Sequence, residues 1–522
     1  MRKYKSLRIP TFPRRRAAGR HEAGQPHAVV WGSVSAEHVE ARPGAYADSV
    51  TLMQASTDVR KADGVEAALI AMATELNLGL LAEMGFAAPP QAGPNDLLIA
   101  VRAEDDATLA AALAAADTAL APRRAPDGDA AVQQPPRTTA AAARRGGPGL
   151  VLVSVPGRYA FAEAMDALDA GCDVMIFSDN MPVEQEIMLK DIAAERGLLV
   201  MGPDCGTAVV GGVGLGFAHT VAAGEIGLVA ASGTGAQQVL SLLDAAGAGV
   251  SAALGVGGRD LSAAVGGRSA RAALAALDGD PATGLIVVIS KPPAPQVAAD
   301  LRAYATGLST PVQFAFVAPG EPDLTAATEA ALAATGKPVP AWPHWPGAEV
   351  TPRPGALRGL YAGGTLCTEA MVIASERLGT IRSNIPLRPE WHLGTRAPTH
   401  GHMMIDFGDD ELTVGRAHPM IDQTLRLERL AAEAADPATV VILLDVVLGH
   451  GAHPDPASEL GPAIAAARER SGAAVVVSLI GAAGDPQDPA RQARELQAAG
   501  AHVFASNAQA ARFACGAIAG RP

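Results

Sequence analysis

The spacing of apolar residues divides the chain into two regimes. From Leu150 onward, short apolar runs alternate with segments in which apolar positions recur every three or four residues. LVLVSVP, CDVMIFS, LLVMG, IGLVAA, LIVVIS and PVQFAFV read as strands buried on both faces, while YAFAEAMDALDAG, Pro182–Arg196 and GAQQVLSLLDAAG read as the helices between them. Strict strand–helix alternation predicts parallel sheets covered on both faces. Ahead of this region, residues 35–121 read as a small α/β unit, with helical spacing over Tyr46–Arg60, strands VEAALIAMA and DLLIAVRA, and helices LNLGLLAEMG and DATLAAALAAADTAL.

The expected fold is α/β, with several doubly wound parallel-sheet domains, Rossmann-like and flavodoxin-like, behind a small N-terminal α/β domain. The boundaries expected are a disordered basic tail over 1–34, the small domain over 35–121 and a Pro- and Arg-rich linker over 122–149. A Rossmann-like domain over 150–224 and a flavodoxin-like domain over 225–336 follow. A Pro- and Trp-rich linker over 337–356 and a second flavodoxin-like domain over 357–522 complete the chain.

Two stretches repeat one plan. IGLVAASGTGAQQ is a strand, a turn of small residues (Ser232, Gly233, Thr234, Gly235) and a helix start. RGLYAGGTLCTEAMVIA repeats this with Gly363, Gly364 and Thr365 in the turn. Downstream, IDFGDDELTVGRAHPMID answers GVGGRDLSAAVGG, VVILLDVVLGHGAHPDP answers LIVVISKPPAP, and AAVVVSLIGAAGDP answers TPVQFAFVAPGEP. An internal duplication is expected, and duplicated units tend to pack about a pseudo-two-fold axis. Each helix start leaves backbone N–H groups unpaired, so both turns are candidate sites for a phosphate or carboxylate.

Charge narrows the partners. The formal net charge is −13, and the first 20 residues carry eight of the 41 basic residues and none of the 54 acidic ones. The body is therefore strongly acidic, which argues against nucleic acid as a partner. No apolar run is long enough to span a membrane. The four cysteines (Cys172, Cys205, Cys367, Cys515) are widely spaced, which suits a reduced, cytoplasmic protein.

Among polar residues at expected strand ends, Arg259, Lys291 and Arg416 are candidates to neutralise a transferring group. His418, in GRAHPMID, is the candidate acid or base, with Asp409 and Asp410 as candidates to orient Arg416 or His418. The His450, His453 and Asp455 group is a weak metal pattern, and no metal is expected. Cys205 has no histidine partner nearby in sequence and is not expected to be a nucleophile.

The segment from VSVPGRYAFAEAMDALDAG through GPDCGT resembles the second half of the CoA-binding domain of succinyl-CoA synthetase α-subunits, and IGLVAASGTGAQQ with GVGGRDLS resembles their ligase domain. Residues 357–522 resemble the C-terminal ligase domain of the β-subunit, and the fused arrangement resembles the FdrA family from about residue 44 to 515. The departures are equally specific: the glycine-rich loop for CoA, the phosphorylated histidine and the ATP-grasp region of the synthetases are all missing. The resemblance therefore implies a site for a ready-made acyl or carbamoyl phosphate, with oxamate carbamoyl transfer in allantoin and purine breakdown as its most specific form. It also implies partner subunits encoded nearby, and a homo-oligomer is a further candidate assembly. CoA is a candidate cofactor. The alternatives are an acyl-CoA synthetase subunit that borrows a separate ATP-grasp partner, and a non-catalytic assembly or regulatory subunit.

Overall fold

A computed structural model describes residues 36–45, 47, 49–121, 136–393, 401–413 and 417–519. The tail expected over 1–34 lies outside the described residues. The small N-terminal domain is a three-stranded sheet in which Leu97–Ala103 lies between Ala36–Arg42 and Val65–Met72, antiparallel to both. Sequence patterning missed Ala36–Arg42. It reads AEHVEAR, too polar for a buried strand, and it lies at the sheet edge, where a partly wet strand is tolerated. Within the expected 122–149 linker the structure has a helix, Thr139–Gly146, capped by Thr138 Oγ1 accepting from Ala141 N (3.1 Å).

Three parallel strands (Leu150–Val153, Asp173–Ile176, Val200–Met201) form the next sheet. Residues 207–216, which the expected 150–224 boundary puts in that Rossmann-like unit, form a hairpin (Thr207–Val210 and Val213–Gly216) that joins the following sheet as an antiparallel extension beside Val250–Gly255. The parallel part of this second sheet runs Val312–Phe316, Leu285–Ser290, Ala223–Ala231, Val250–Gly255. The last sheet runs Ala474–Ile480, Thr439–Val447, Ala356–Tyr361, His402–Asp406 in the same relative order. One strand of the expected 337–356 linker, His344–Trp345, pairs antiparallel with His502–Phe504 at the edge of that last sheet.

The two larger sheets share one core. The helices Gly233–Ala245 and Gly364–Leu378 carry Val239, Leu240, Leu243, Leu366, Ala370 and Met371 into a single buried cluster fed by strands of both sheets. Each helix is buried on nearly every side over its first turns, with Gln237, Gln238 and Glu369 as the large polar side chains there.

The contacts across this core are reciprocal. Gln238 of the first helix accepts from Asn507 N (2.8 Å), the start of the last helix of the second half. Glu369, at the matching position of the second helix, accepts from Leu324 N (2.7 Å), the start of the last helix of the first half. Thr325 and Ser506 meet between them, Oγ1 to Oγ 2.7 Å. Residue i of one half touches j of the other while j's counterpart touches i's, which is the signature of two-fold packing.

Burial lifts the Glu369 carboxyl from 4.5 to about 7, against hydrogen bonds from Asn507 and Leu324. Between these values the native protein keeps a proton that the unfolded chain has lost, so stability falls as pH rises through that window. Urea unfolding from about pH 5 to about pH 8 should show this fall, and Glu369→Gln should lessen it. A wild-type midpoint that rises across that range would contradict the assignment.

Candidate functional site

The two helix starts meet head to head. Ser232, extended at φ −161°, caps the first helix, its Oγ accepting from Gly235 N (2.9 Å). The same hydroxyl donates to Thr365 Oγ1 of the second helix (2.6 Å), and both groups are buried. On the reciprocal side Gly363 faces Thr234, so closely that a methyl group at Gly363 would stand 2.8–2.9 Å from three Thr234 side-chain atoms. Only glycine fits there. Ser232, Gly233, Thr234, Gly235, Gly363, Gly364 and Thr365 therefore form one seam, with the positive ends of two helix dipoles converging on it.

Carboxylates surround the second turn. Asp445 accepts from Ala362 N (2.7 Å) and Gly363 N (2.8 Å), and Arg426 Nη2 lies 3.3 Å from Asp445 Oδ1; both side chains are buried. The N–H groups just before the helix are thus closed by the protein's own anion. Those at the start of the helix proper, from Gly364 on, have no capping side chain.

Lys291 and Asp406 flank Gly364: a methyl group there would stand 2.7 Å from Lys291 Nζ and closer still to Asp406 Oδ2. Among the described residues Lys291 makes no ion pair and no hydrogen bond. Burial raises the Asp406 carboxyl from 3.8 to about 7, against the pull of Lys291 and the hydrogen bond from Gly408 N (2.9 Å).

His418 stands on the far side of Gly408, where a methyl group would lie 2.7 Å from His418 Nε2 and 3.2 Å from Asp406 Oδ1. Its Nδ1 accepts from Met420 N (3.2 Å), so the neutral ring carries its proton on Nε2. Burial, with the Arg426 charge adding to it, pushes the ring down to about 4. Near neutral pH His418 is therefore a hydrogen-bond donor and a feeble base.

Arg259 does not reach the seam. Its guanidinium pairs with Glu186 (3.0 Å) and donates to Met181 O (2.8 Å), beside a buried Glu186–Lys190–Asp260 network that ties the 150–201 sheet to the next one. Charges one residue apart on a strand end face different neighbours, and Arg259 faces the interdomain contact. Arg416 lies outside the described residues. Asp409 accepts from Glu411 N (3.1 Å) in its own turn. Cys205 is buried with its thiol pushed up to about 12, chiefly by burial, and is inert. His450, His453 and Asp455 have separate partners in Thr220, Glu459 and Gln492.

Sequence reasoning missed Asp406 and Asp445. A signal existed: each is a lone acid at or within an otherwise apolar strand, HMMID and TVVILLDVV, and buried acids require partners.

Residues 35–136 match the family described as AllF, heavy metal-associated domain, and residues 360–516 match the CoA-ligase family. YahF of Escherichia coli (strain K12), an uncharacterized protein, is 40% identical over 440 residues, covering 80% of this chain and 84% of its own. The chain belongs to the FdrA family, related to succinyl-CoA ligase α-subunits. The ADP-forming succinate–CoA ligase subunit alpha of Aquifex aeolicus is 30% identical over 146 residues, covering 27% of this chain, and the chain spans 47% of that subunit. Among solved structures, the dinucleotide-forming acetyl-coenzyme A synthetase 1 of Ca. Korarchaeum cryptofilum aligns over 72% of this chain and 85% of its own. There the identity is 16% and the TM-score 0.26.

Residues 35–136 of this FdrA-family chain hold no cysteine and one histidine, His38, so they lack the thiolates that suit a soft metal ion. No described helix is long and apolar enough to cross a membrane.

Gly363→Ala should push the seam apart at a cost of about 1–3 kcal/mol, the usual penalty for overpacking. Thr234→Gly should recover most of that loss in a double-mutant cycle of thermal or urea unfolding. Additive losses would mean that the two residues are not in contact.

Proposed function

We propose that the seam binds the phosphate of an acyl or carbamoyl phosphate, and that the protein is a subunit of an enzyme transferring that group, with oxamate as the specific acceptor for a carbamoyl group. The observation that carries this reading is Lys291, an amine without an ion-pair or hydrogen-bond partner among the described residues, beside the uncapped start of the second helix. Two helix N-termini contribute on the order of 0.3–2 kcal/mol each toward an anion, and a lysine adds a charge-assisted hydrogen bond. Of the three cations that sequence reasoning offered for this part, Arg259, Lys291 and Arg416, the reading rests on Lys291.

In the transfer the acceptor nitrogen attacks the carbonyl carbon. The new C–N bond forms as the C–O bond to phosphate breaks, and the proton leaving nitrogen ends on phosphate or on ionised Asp406. His418 Nε2–H supplies a hydrogen bond to the oxygen on which charge develops. The helix starts and Lys291 hold the departing phosphate.

The CoA-ligase match over 360–516 favours a second reading, an acyl-CoA ligase subunit working with a separate ATP-grasp partner and with CoA as cofactor. Either enzyme includes partner subunits encoded nearby.

The test combines the protein with its partner subunits, carbamoyl phosphate and oxamate, and follows phosphate release. Lys291→Met should weaken the phosphate donor by about 10–100-fold, the loss of one charged hydrogen bond. No release from the wild-type complex, with ATP- and CoA-dependent thioester formed instead, would replace the first reading by the second. Ionisation of Asp406 adds a negative charge beside the bound anion. Donor affinity should therefore fall as pH rises through about 7, and Asp406→Asn should remove that step.

A further inference from the structure

The N-terminal domain keeps its apolar residues to itself. One cluster forms around Leu52, Val59, Ile70 and Ile99 and another around Leu81, Phe86 and Leu98, and among the described residues neither includes a side chain from the rest of the chain. What joins it to the last sheet is charge. Arg60 ends the Ser49–Arg60 helix, and Arg60 and Lys61 face a cleft of about 190 Å3 whose other wall includes Ile421, Thr424 and His453. Arg60 Nη2 pairs with Asp422 (3.3 Å). Lys61 Nζ pairs with Glu459 (3.0 Å) and lies 2.9 Å from His453 Nε2.

Both contacts lead to His418 by short steps. Ile421 N and Asp422 N donate to His418 O (2.8 and 3.1 Å), which makes Pro419–Asp422 a turn built on His418 itself. His453 N donates to Met420 O (2.7 Å), and Met420 N donates to His418 Nδ1 (3.2 Å). Met420 thus holds His453 with one end of its backbone and selects the His418 tautomer with the other. His453 in turn has its Nδ1 satisfied by Asp455 N (3.0 Å) and turns Nε2 toward Glu459 (3.2 Å).

We propose that Arg60 and Lys61 are positioning residues for His418: docking of the N-terminal domain braces the Pro419–Asp422 turn and thereby sets where His418 Nε2–H points. The consequence for turnover rests on the phosphate-transfer reading above, whereas the bracing does not. The two arginine and lysine side chains are 42% and 46% exposed, so their pairs are screened by salt and the brace is releasable. Glu459 is held down to about 2, first by the hydrogen bond from His453 and then by Lys61, so the acidic side of the brace stays charged at neutral pH.

Hydrogen exchange of the full chain tests the bracing directly. Arg60→Ala with Lys61→Ala should raise exchange at residues 420–424 roughly tenfold, and high salt should do the same to the wild type, while the buried Thr439–Val447 strand stays protected. Arg60→Lys with Lys61→Arg should restore protection. Unchanged exchange at 420–424 in the alanine pair would overturn the proposal whatever the site binds. In the complex, the alanine pair should lower kcat for carbamoyl transfer while KM for the phosphate donor moves less than about threefold, because Lys291 and the helix starts are untouched. A raised KM at unchanged kcat would also overturn it. A wild-type complex that releases no phosphate would remove the transfer reading, and the exchange result alone would then decide the brace.

Discussion

The approach of Gly363 to Thr234, mirrored by the hydrogen bond from Ser232 to Thr365, is the contact on which the larger half of the molecule depends. Two helices can bring their first turns this close only if the residues there are small. Every side chain at the seam is hydrogen, hydroxymethyl or hydroxyethyl. The cost of the approach is electrostatic, since two positive dipole ends converge. The structure offsets part of it with Asp445, buried against Ala362 N and Gly363 N and backed by Arg426. The remaining field points at the uncapped start of the Gly364–Leu378 helix, where Lys291 adds to it.

The two halves share a plan but not their charges. At the strand end where the second half has Asp406, the first has Gly255, against which Cys205 and Thr207 pack. Gln238 in the first half and Glu369 in the second play the same part toward the opposite half. The packing kept the two-fold relation because helix starts, strand order and small residues are all it needs. The charged and titratable groups are one-sided: Lys291 from the first half and Asp406 from the second flank Gly364, with His418 beyond Gly408.

The N-terminal domain stands in another regime. Its contact with the last sheet is made of exposed ion pairs, which are weak and salt-dependent, whereas the two larger sheets are joined by a continuous apolar core. Within one chain the first arrangement permits release and the second does not.

Much of this architecture is legible in the amino-acid sequence by itself. Alternating apolar runs determined the parallel sheets, because strands buried on both faces must be apolar throughout. The repeated small-residue turns determined that two helix starts would matter, since few residues let a backbone pass so close to its neighbour. Tertiary structure alone decided where the charges face. Arg259 and Lys291 occupy similar strand ends in sequence, yet one is spent on Glu186 between domains and the other is left beside Gly364. Asp406 and Asp445 stand out in sequence only as lone acids in apolar strands; that they lie beside the Gly363 turn was decided by the packing of those strands. Periodicity reports which face of an element is buried, a local property. The partner of a charge is set by elements hundreds of residues away, and no local pattern records it.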